Sequence, residues 1–299
     1  MYDIVVTCSP YRYRIDLVRR LTYKERRLVN GVTTLNNKIF VVYDKLPFIV
    51  VYMSHEPYTR LPNISINGLK DPLDIAAGSS CLYVSDVGSH AIWRVKAADS
   101  KVDKWLSGLV ATSVSVTSEE KLVLLVGVDY QGSPEERNVN WCGKIQIYSS
   151  GAVKETDIKL SPDITSPHCV VMTTRKTFIV SYGVSWHAMN RVCEVDMNGL
   201  MLKAFGSAPG KDVGQLNTPF HVSLDDEERI IVADRHNHRV LMLNKQLMLQ
   251  RVLVTWHPRP HSDDAEFPIR LHYDSHSGKL LVGLSYGHLD IYQLRPELT

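Results

Sequence analysis

The chain lacks the features that identify several large classes of protein. Its five cysteines are odd in number and contain no Cys-x-x-Cys pair, which argues against a disulfide framework and against a zinc knuckle. No window approaches the roughly 18 uninterrupted apolar residues that a membrane-spanning helix needs. Residues 1–6 show neither the charged region nor the apolar stretch of a signal peptide. We therefore expect a soluble, cytoplasmic protein with no membrane partner.

Strong charge and familiar catalytic motifs are also missing. The formal net charge of the 299 residues is only +2, which is too small to indicate a polyanionic partner. Basic residues concentrate at one end, because residues 1–30 contain seven basic and three acidic side chains. The sequence contains no His-Glu-x-x-His, no Gly-x-Ser-x-Gly and no phosphate-binding glycine loop. These absences leave no motif for a zinc protease, a serine hydrolase or a nucleotide-binding enzyme.

What the sequence does contain is a repeated unit of short apolar segments separated by polar turns. The clearest copy occupies residues 217–244: a proline opens a strand, an acidic turn follows, an apolar run ends at Asp234, and a polar turn leads into the next strand. Such a unit cannot bury its sheet face alone, so several units must pack side by side. Their spacing of about 40–50 residues is typical of a four-stranded propeller blade.

We therefore predict a single all-β domain over residues 1–299, a six-bladed β-propeller of four-stranded antiparallel blades. The predicted blades are 29–69, 70–109, 110–162, 163–216, 217–267 and 268–299. The last unit has only three strands, which would leave an open sheet edge. Tyr11, Tyr13, Ile15 and Leu17 alternate with polar residues, so we expect the segment 1–28 to provide a closing strand and a basic region. An amphipathic helix over residues 15–28 is the alternative.

The fifth unit resembles an NHL repeat. It carries the Asn237-His238 pair that marks these repeats, flanked by Asp234 and Arg239, and it follows the segment 203–206 with its Phe-Gly pair. The resemblance implies a six-bladed propeller like that of the tripartite-motif NHL proteins, whose relatives mostly recognise protein or RNA. A minority of related propellers are enzymes, among them a peptidyl-hydroxyglycine lyase and the lactonase and strictosidine-synthase-like groups.

These signature residues also have a purely structural interpretation. We expect Asp234 and Arg239 to pair with each other or with backbone groups around a tight turn. The equivalent histidines of the fifth and second units, His238 and His90, are expected to pack between strands.

We letter the four strands of each predicted blade a to d, in chain order. Recognition is predicted on the propeller face that carries the connections between strands b and c and between strands d and a. Long connections at 129–141, 183–189 and 256–267 gather there, and aromatic anchors on such loops are typical of binding surfaces. The candidate binding residues are Tyr130, Trp141, Trp186, His187, Arg235, His236 and His257. The alternative is that Trp141 and Trp186 fold back over blade edges.

Charge then favours one kind of partner. The predicted loops of this face carry six basic and ten acidic residues. Binding of nucleic acid depends strongly on cationic side chains that neutralise phosphates. A protein or peptide partner is therefore predicted, and RNA is a disfavoured alternative.

Catalysis in the central channel is the other alternative. Asp74, His221 and Arg270 occupy equivalent positions just after the proline that opens strand a, and His168 lies beside the position that aligns with them. A zinc-dependent lyase or hydrolase would need about three converging histidines, whereas only His168 and His221 can be assembled. A calcium site would need several carboxylate and amide oxygens, and Asp74 alone does not supply them. We therefore predict a non-enzymatic recognition module without a cofactor, with a zinc or calcium enzyme using His168, His221 and Arg270 as the alternative.

Overall fold

The fold is a closed ring of β-sheets. The computed structural model describes residues 12–128, 142–184, 189–257 and 266–297. These residues form six four-stranded antiparallel sheets, so the predicted six-bladed β-propeller is confirmed. Helix within the described ranges consists of two short 3-10 turns, Arg235–Asn237 and Ser285–Gly287.

Each blade consists of strands a to d, counted from the axis outward. The strands of blades 1 to 3 are β2 (Val29–Leu35), β3 (Lys38–Tyr43), β4 (Phe48–Met53), β5 (Arg60–Ser65); β6 (Pro72–Ala77), β7 (Cys81–Asp86), β8 (Ala91–Lys96), β9 (Val102–Ser107); β10 (Ala111–Val116), β11 (Leu122–Val128), β12 (Cys142–Tyr148) and β13 (Lys154–Lys159). Those of blades 4 to 6 are β14 (Pro167–Met172), β15 (Phe178–Tyr182), β16 (Asn190–Val195), β17 (Met201–Ser207); β18 (Pro219–Leu224), β19 (Ile230–Asp234), β20 (Arg239–Leu243), β21 (Leu249–Thr255); β22 (Pro268–Asp274), β23 (Lys279–Leu284), β24 (His288–Glu297) and β1 (Arg12–Thr22).

The burial of each strand follows from its place in the blade. Strands b and c are covered on both faces by neighbouring blades, so most of their residues are buried, and strand b is largely apolar; all five residues of β15 are buried. Outer strands have one face toward solvent and alternate, as in β17. A register slip of one residue would exchange the two faces, so this pattern fixes the strand pairing.

The hydrophobic core is divided into six clusters, and each cluster lies between two neighbouring blades. One cluster joins the last blade to the first, where Leu281, Leu289 and Ile291 pack with Val29 and Val41. Every blade therefore buries both of its faces against a neighbour, which explains why a single repeat is not expected to be stable alone.

The ring is closed by the N-terminal strand, as predicted. β1 pairs antiparallel with β24, from Arg12 opposite Glu297 to Thr22 opposite His288. Arg20 donates to both carboxylate oxygens of the fully buried Asp290, at 2.6 and 2.7 Å, and to Glu266 at 2.9 Å. Pairing with β24 and this ion pair explain why the segment is a strand and not the alternative helix. The predicted alternation does not continue along the whole strand, because the register shifts between Leu17 and Arg19 and Leu17 is exposed.

The two ends of the ring differ in what they carry. In five of the six blades the residue after strand b donates its backbone N–H to the residue before strand a, as Arg235 does to Thr218 at 3.2 Å; in blade 3 Gly127, within β11, donates to Val110. We call the end that holds these b–c and d–a connections the loop face. The opposite end holds the a–b turns, such as 78–80, and the c–d turns, such as 196–200, and we call it the turn face.

Candidate functional site

A layer of buried side chains closes the axis of the propeller beneath the loop face. The first strand of every blade has a β-bulge at its second residue, where the register with strand b shifts by one. The six bulged residues are Asn30, Leu73, Thr112, His168, Phe220 and Ile269. None is more than 8% exposed, so this end of the channel is covered.

Below the layer lies a central cavity of about 240 Å³ that is lined by residues from the first strands of all six blades. The first four residues of every one of these strands are buried, whereas the last residue of each is partly exposed. Exposure therefore increases toward the a–b turns in six independent strands. The cavity opens on the turn face and is blind toward the loop face.

A buried ion pair lies at the blind end. As predicted, Asp74, His221 and Arg270 are at one level, each directly after the bulge of its strand. The Nε of Arg270 lies 3.7 Å from Asp74 Oδ1, and its Nη2 donates to the Leu73 carbonyl at 2.7 Å. Burial raises the pKa of Asp74 to about 6, although Arg270 and the backbone N–H groups of Val114 and Ile75 stabilise the charged form.

His221 is held as a neutral ring. Its Nδ1 accepts a hydrogen bond from the backbone N–H of Leu271 at 3.3 Å, which places the ring hydrogen on Nε2. Burial lowers the pKa of His221 well below its ordinary value, and the charges of Arg270 and His272 act in the same direction. The Nε2 atom lies 4.0 Å from Asp74 Oδ1. Since one ring nitrogen accepts from the backbone and the other carries the hydrogen, this ring is not arranged as a metal ligand.

His168 has a different environment from His221. Its Nε2 donates to the Gly183 carbonyl at 3.0 Å, and its ring packs against Phe220 with centroids 4.9 Å apart. It belongs to the bulge layer and does not line the central cavity. Beside it, burial raises the pKa of Cys169 to about 12, so the thiol stays protonated.

These positions bear on the metal alternative. The structure does not bring His168 and His221 together with a further ligand, since no group of three His, Cys, Asp or Glu side chains among the described residues could hold a metal ion. We therefore derive no catalytic step through zinc or calcium.

Arg235 and His236 lie on the loop face above the bulge layer. The guanidinium of Arg235 is sandwiched between the rings of Phe220 and Phe267, 4.9 and 4.8 Å from their centroids. His236 bonds through Nδ1 to Thr218 Oγ1 at 3.1 Å. Partial desolvation, with the nearby Arg235 and His238, lowers the pKa of His236 to about 4, so it is neutral at pH 7. The remaining aromatic candidates, Tyr130, Trp141, Trp186 and His187, lie outside the described residues.

A cavity of about 360 Å³ lies on the loop face, at the outer junction of blades 5 and 6. It is lined by the predicted residue His257 and by Thr22, Tyr23, Lys24, Glu25, Arg26, Trp256, Glu266, Tyr286 and His288. Three aromatic rings and charges of both signs therefore surround one depression. The connection 23–28, which leads from β1 to β2, supplies four of the ten lining residues.

The two acidic side chains of this cavity are paired with arginines that do not line it. Glu25 accepts from Arg27 at 2.6 Å, and Glu266 lies 2.9 Å from Arg20. Arg26 stacks over the Tyr286 ring at 5.4 Å. Arg27 and Arg20, which do not line the cavity, therefore neutralise the two carboxylates, while Lys24 and Arg26 contribute positive charge to the cavity itself.

The residues of the repeat signature are structural. The Asp234–Arg239 pair is confirmed, with 2.7 Å between Nε and Oδ2, and Asp234 also accepts from the backbone N–H of Asn217 at 2.7 Å. Asp86 accepts from the N–H of Asp71 at 2.8 Å in the same way, so each carboxylate ties a b–c turn to a d–a connection. The prediction that His90 packs between strands is wrong. His90 is exposed, because it occupies the left-handed position of its tight turn, with φ 52°.

Comparison with known proteins supports the fold. No family model matches the chain. Similar solved structures include a catalytically inactive variant of virginiamycin B lyase from Staphylococcus aureus with quinupristin, at 10% identity and a TM-score of 0.61 over 95% of this chain and 100% of that one. The WD40 β-propeller domain of Doa1 matches at 12% identity and a TM-score of 0.62 over 94% and 97%. A protein of unknown function from Bacteroides caccae matches at 13% identity and a TM-score of 0.57 over 82% and 81%.

The likeness shows a β-propeller. This fold is commonly a scaffold for protein interaction. At such identities it carries no assignment of a lyase or any other activity to this chain. In the part of the chain that the structure describes, no helix has the length and apolarity needed to cross a bilayer.

Proposed function

We propose that this propeller is an NHL-like, non-enzymatic recognition module that binds a protein or peptide partner on its loop face. The observation that carries the proposal is the 360 Å³ cavity between blades 5 and 6. Its volume falls within the range of about 300–1,000 Å³ typical of binding pockets. A depression of this size suits one or two side chains of a partner segment.

The chemistry of the cavity supports a polypeptide partner. Aromatic rings and arginines are the side chains that most often dominate the energy of protein interfaces. Here Tyr23, Trp256 and Tyr286 line the cavity together with Arg26, and the side chains of Glu266 and His288, 3.5 Å apart, add polar groups. Such a mixture can hold an apolar side chain and the polar groups next to it.

Rigidity supports the same proposal, since a pre-organised wall binds with less loss of entropy. Glu266 is fixed by Arg20, which is itself held by the buried Asp290. His288 is fixed by Thr22, 3.0 Å from its Nδ1. Tyr23 is 4% exposed and stacks on Tyr43 with centroids 4.6 Å apart.

RNA is the alternative that the test must separate. The count of loop charges in the sequence omitted Lys24, Arg26 and Arg27, which the structure places on the loop face. Even with these residues, the acidic side chains of the predicted loops outnumber the basic ones. A polypeptide partner therefore stays favoured over a polyanion.

The test uses paired variants of the two faces. Tyr286→Ala and Lys24→Glu change the cavity, whereas Leu200→Ala and Lys245→Glu make matched changes on the turn face at exposed positions. Affinity capture with quantitative partner identification should lose the same polypeptides with both cavity variants, by at least about tenfold, and retain them with both controls. Equal loss with the controls, or tight and salt-sensitive binding of RNA that Lys24→Glu weakens, would contradict the proposal.

A further inference from the structure

A second cavity lies on the axis of the propeller. We propose that the central cavity, reached from the turn face, binds a small uncharged molecule with an apolar body and a hydroxyl group at its leading end. This site is separate from the loop-face cavity, because the two share no lining residue.

Access to the cavity comes from one end only. The bulge layer covers the axis toward the loop face, and Arg270, 2% exposed, lies directly beneath it. Toward the a–b turns the walls are partly exposed, as at Ala77, Val116 and Met172. A ligand therefore arrives with its leading end against Asp74 and His221.

The blind end offers one hydrogen-bond donor and one acceptor. The Nε2–H of His221 and the Oδ1 of Asp74 are 4.0 Å apart, which is too long for a direct hydrogen bond. An oxygen atom on the cavity side can lie about 2.8 Å from both. A hydroxyl group fits this pair, because it accepts from His221 and donates to Asp74.

The surroundings select against a charged ligand. Asp74 already faces the guanidinium of Arg270 at 3.7 Å and accepts backbone hydrogen bonds from Ile75 at 2.9 Å and Val114 at 3.0 Å. His221 is neutral in this environment. Since Asp74 and Arg270 already compensate each other, an added ammonium or carboxylate would be buried without a counter-charge of its own, which is costly.

The walls and the volume define the body of the ligand. The lining is mixed. Apolar residues such as Val32, Ile75, Val170 and Leu271 are interspersed with Ser115 and Ser223, whose hydroxyls bond to backbone groups of the next blade, and Met172 and Leu224 stand at the mouth. A cavity of about 150 Å³ holds benzene, so 240 Å³ accommodates a six-membered ring with one substituent. Small ring alcohols are the simplest members of this class.

Three ring compounds of nearly equal size test the charge preference. Cyclohexanol, cyclohexylamine and cyclohexanecarboxylate are titrated at pH 7.5 by saturation-transfer NMR against the whole chain. Cyclohexanol is expected to bind at least tenfold more tightly than either ion. Equal or tighter binding of an ion, or binding of none of the three at 50 mM, would overturn the proposal, the last result meaning a channel filled by solvent.

Variants then locate the bound alcohol. His221→Phe removes the donor and Ala77→Phe obstructs the mouth; each should weaken cyclohexanol at least tenfold. Tyr286→Ala changes the loop-face cavity and should leave the affinity unchanged. Because His221→Phe alters a buried position, circular dichroism verifies its fold, and Ala77→Phe at the partly exposed mouth gives an independent result. Retained binding in Ala77→Phe, or loss in Tyr286→Ala, would contradict the assigned position.

Discussion

The two ends of this propeller carry cavities that are built in different ways, although both ends belong to the same repeated blades. The loop face holds the connections that vary most between blades, and its cavity is built from segments that are distant in sequence, 22–26, 256–257, Glu266 and 286–288. The turn face holds short turns of similar length, and its cavity is built from one equivalent strand of each blade. Equivalent strands of the repeat form the axial cavity, whereas connections that differ between blades form the loop-face cavity.

A thin partition keeps these ends apart. It consists of the six bulged residues and of the Asp74–Arg270 pair that links blade 2 to blade 6 across the axis. Blade 1 contributes Gly31 at this level, where a Cβ would come within 2.8 Å of the backbone nitrogen of Ile75. Blades 1 and 2 therefore approach each other closely at this level.

The largest expected effect comes from breaking the partition itself. Asp74→Leu removes the carboxylate that faces Arg270, which is 2% exposed. Removal of one partner of a buried ion pair costs about 3–5 kcal/mol. Chemical denaturation should show this loss of unfolding free energy, whereas Asp16→Leu, at an exposed pair with Arg14, should change it by less than about 0.5 kcal/mol. A loss below about 1 kcal/mol for Asp74→Leu would contradict the structural importance of the pair.

A smaller loss is expected where the ring is closed. Arg20→Leu removes the guanidinium that pairs with the fully buried Asp290, and it also removes the partner of Glu266 at the loop-face cavity. Since Arg20 is 33% exposed, water can partly replace it, and we expect about 2–3 kcal/mol. Arg14→Leu on the same strand is the control. The variant should also weaken partner capture at the loop face without changing cyclohexanol affinity in the axial cavity; a change in both would show that the ends are coupled.

Acidification should destabilise the axial end by a smaller amount. Burial lowers the pKa of His272 to about 4 and that of His221 well below 6.5, so the unfolded chain binds more protons than the folded one below pH 6.5. Stability from these rings is present above pH 6.5 and is lost as pH falls toward 4. The raised pKa of Asp74, about 6, opposes this trend, because the folded state then takes up a proton first.

The balance predicts a net fall in melting temperature of several degrees between pH 7 and pH 5, measured by calorimetry. The double variant His221→Asn, His272→Asn should flatten the profile. An unchanged slope in this variant would assign the pH dependence to other groups.

The architecture was predictable from the sequence, because it depends on local patterns that repeat. Three local patterns are visible in the sequence: a proline at the start of strand a in blades 2, 4, 5 and 6, a largely apolar strand b, and the alternation of Tyr13, Ile15 and Leu17 in the closing strand. The common level of Asp74, His221 and Arg270 followed from the same alignment. Period-two patterning is enough for these conclusions.

The sites were harder to predict, because they depend on bulges and on contacts between distant segments. A bulge shifts His168 into the covering layer, although it precedes an aligned channel residue by one position. The loop-face cavity is lined by residues 22–26 and by Trp256, and no sequence pattern links these two segments. The signal that could have indicated it is the run 23–27, in which an aromatic residue precedes a cluster of charges at the end of a strand.

The most direct test of loop-face recognition is site-specific photocrosslinking. A photoreactive phenylalanine replaces either Tyr286, in the loop-face cavity, or Leu200, which is 59% exposed on the turn face. Recognition at the loop face predicts that polypeptides crosslink from position 286, that Lys24→Glu removes these crosslinks, and that position 200 gives none of them. Crosslinking of the same polypeptides from position 200, or of none from position 286, would contradict the account.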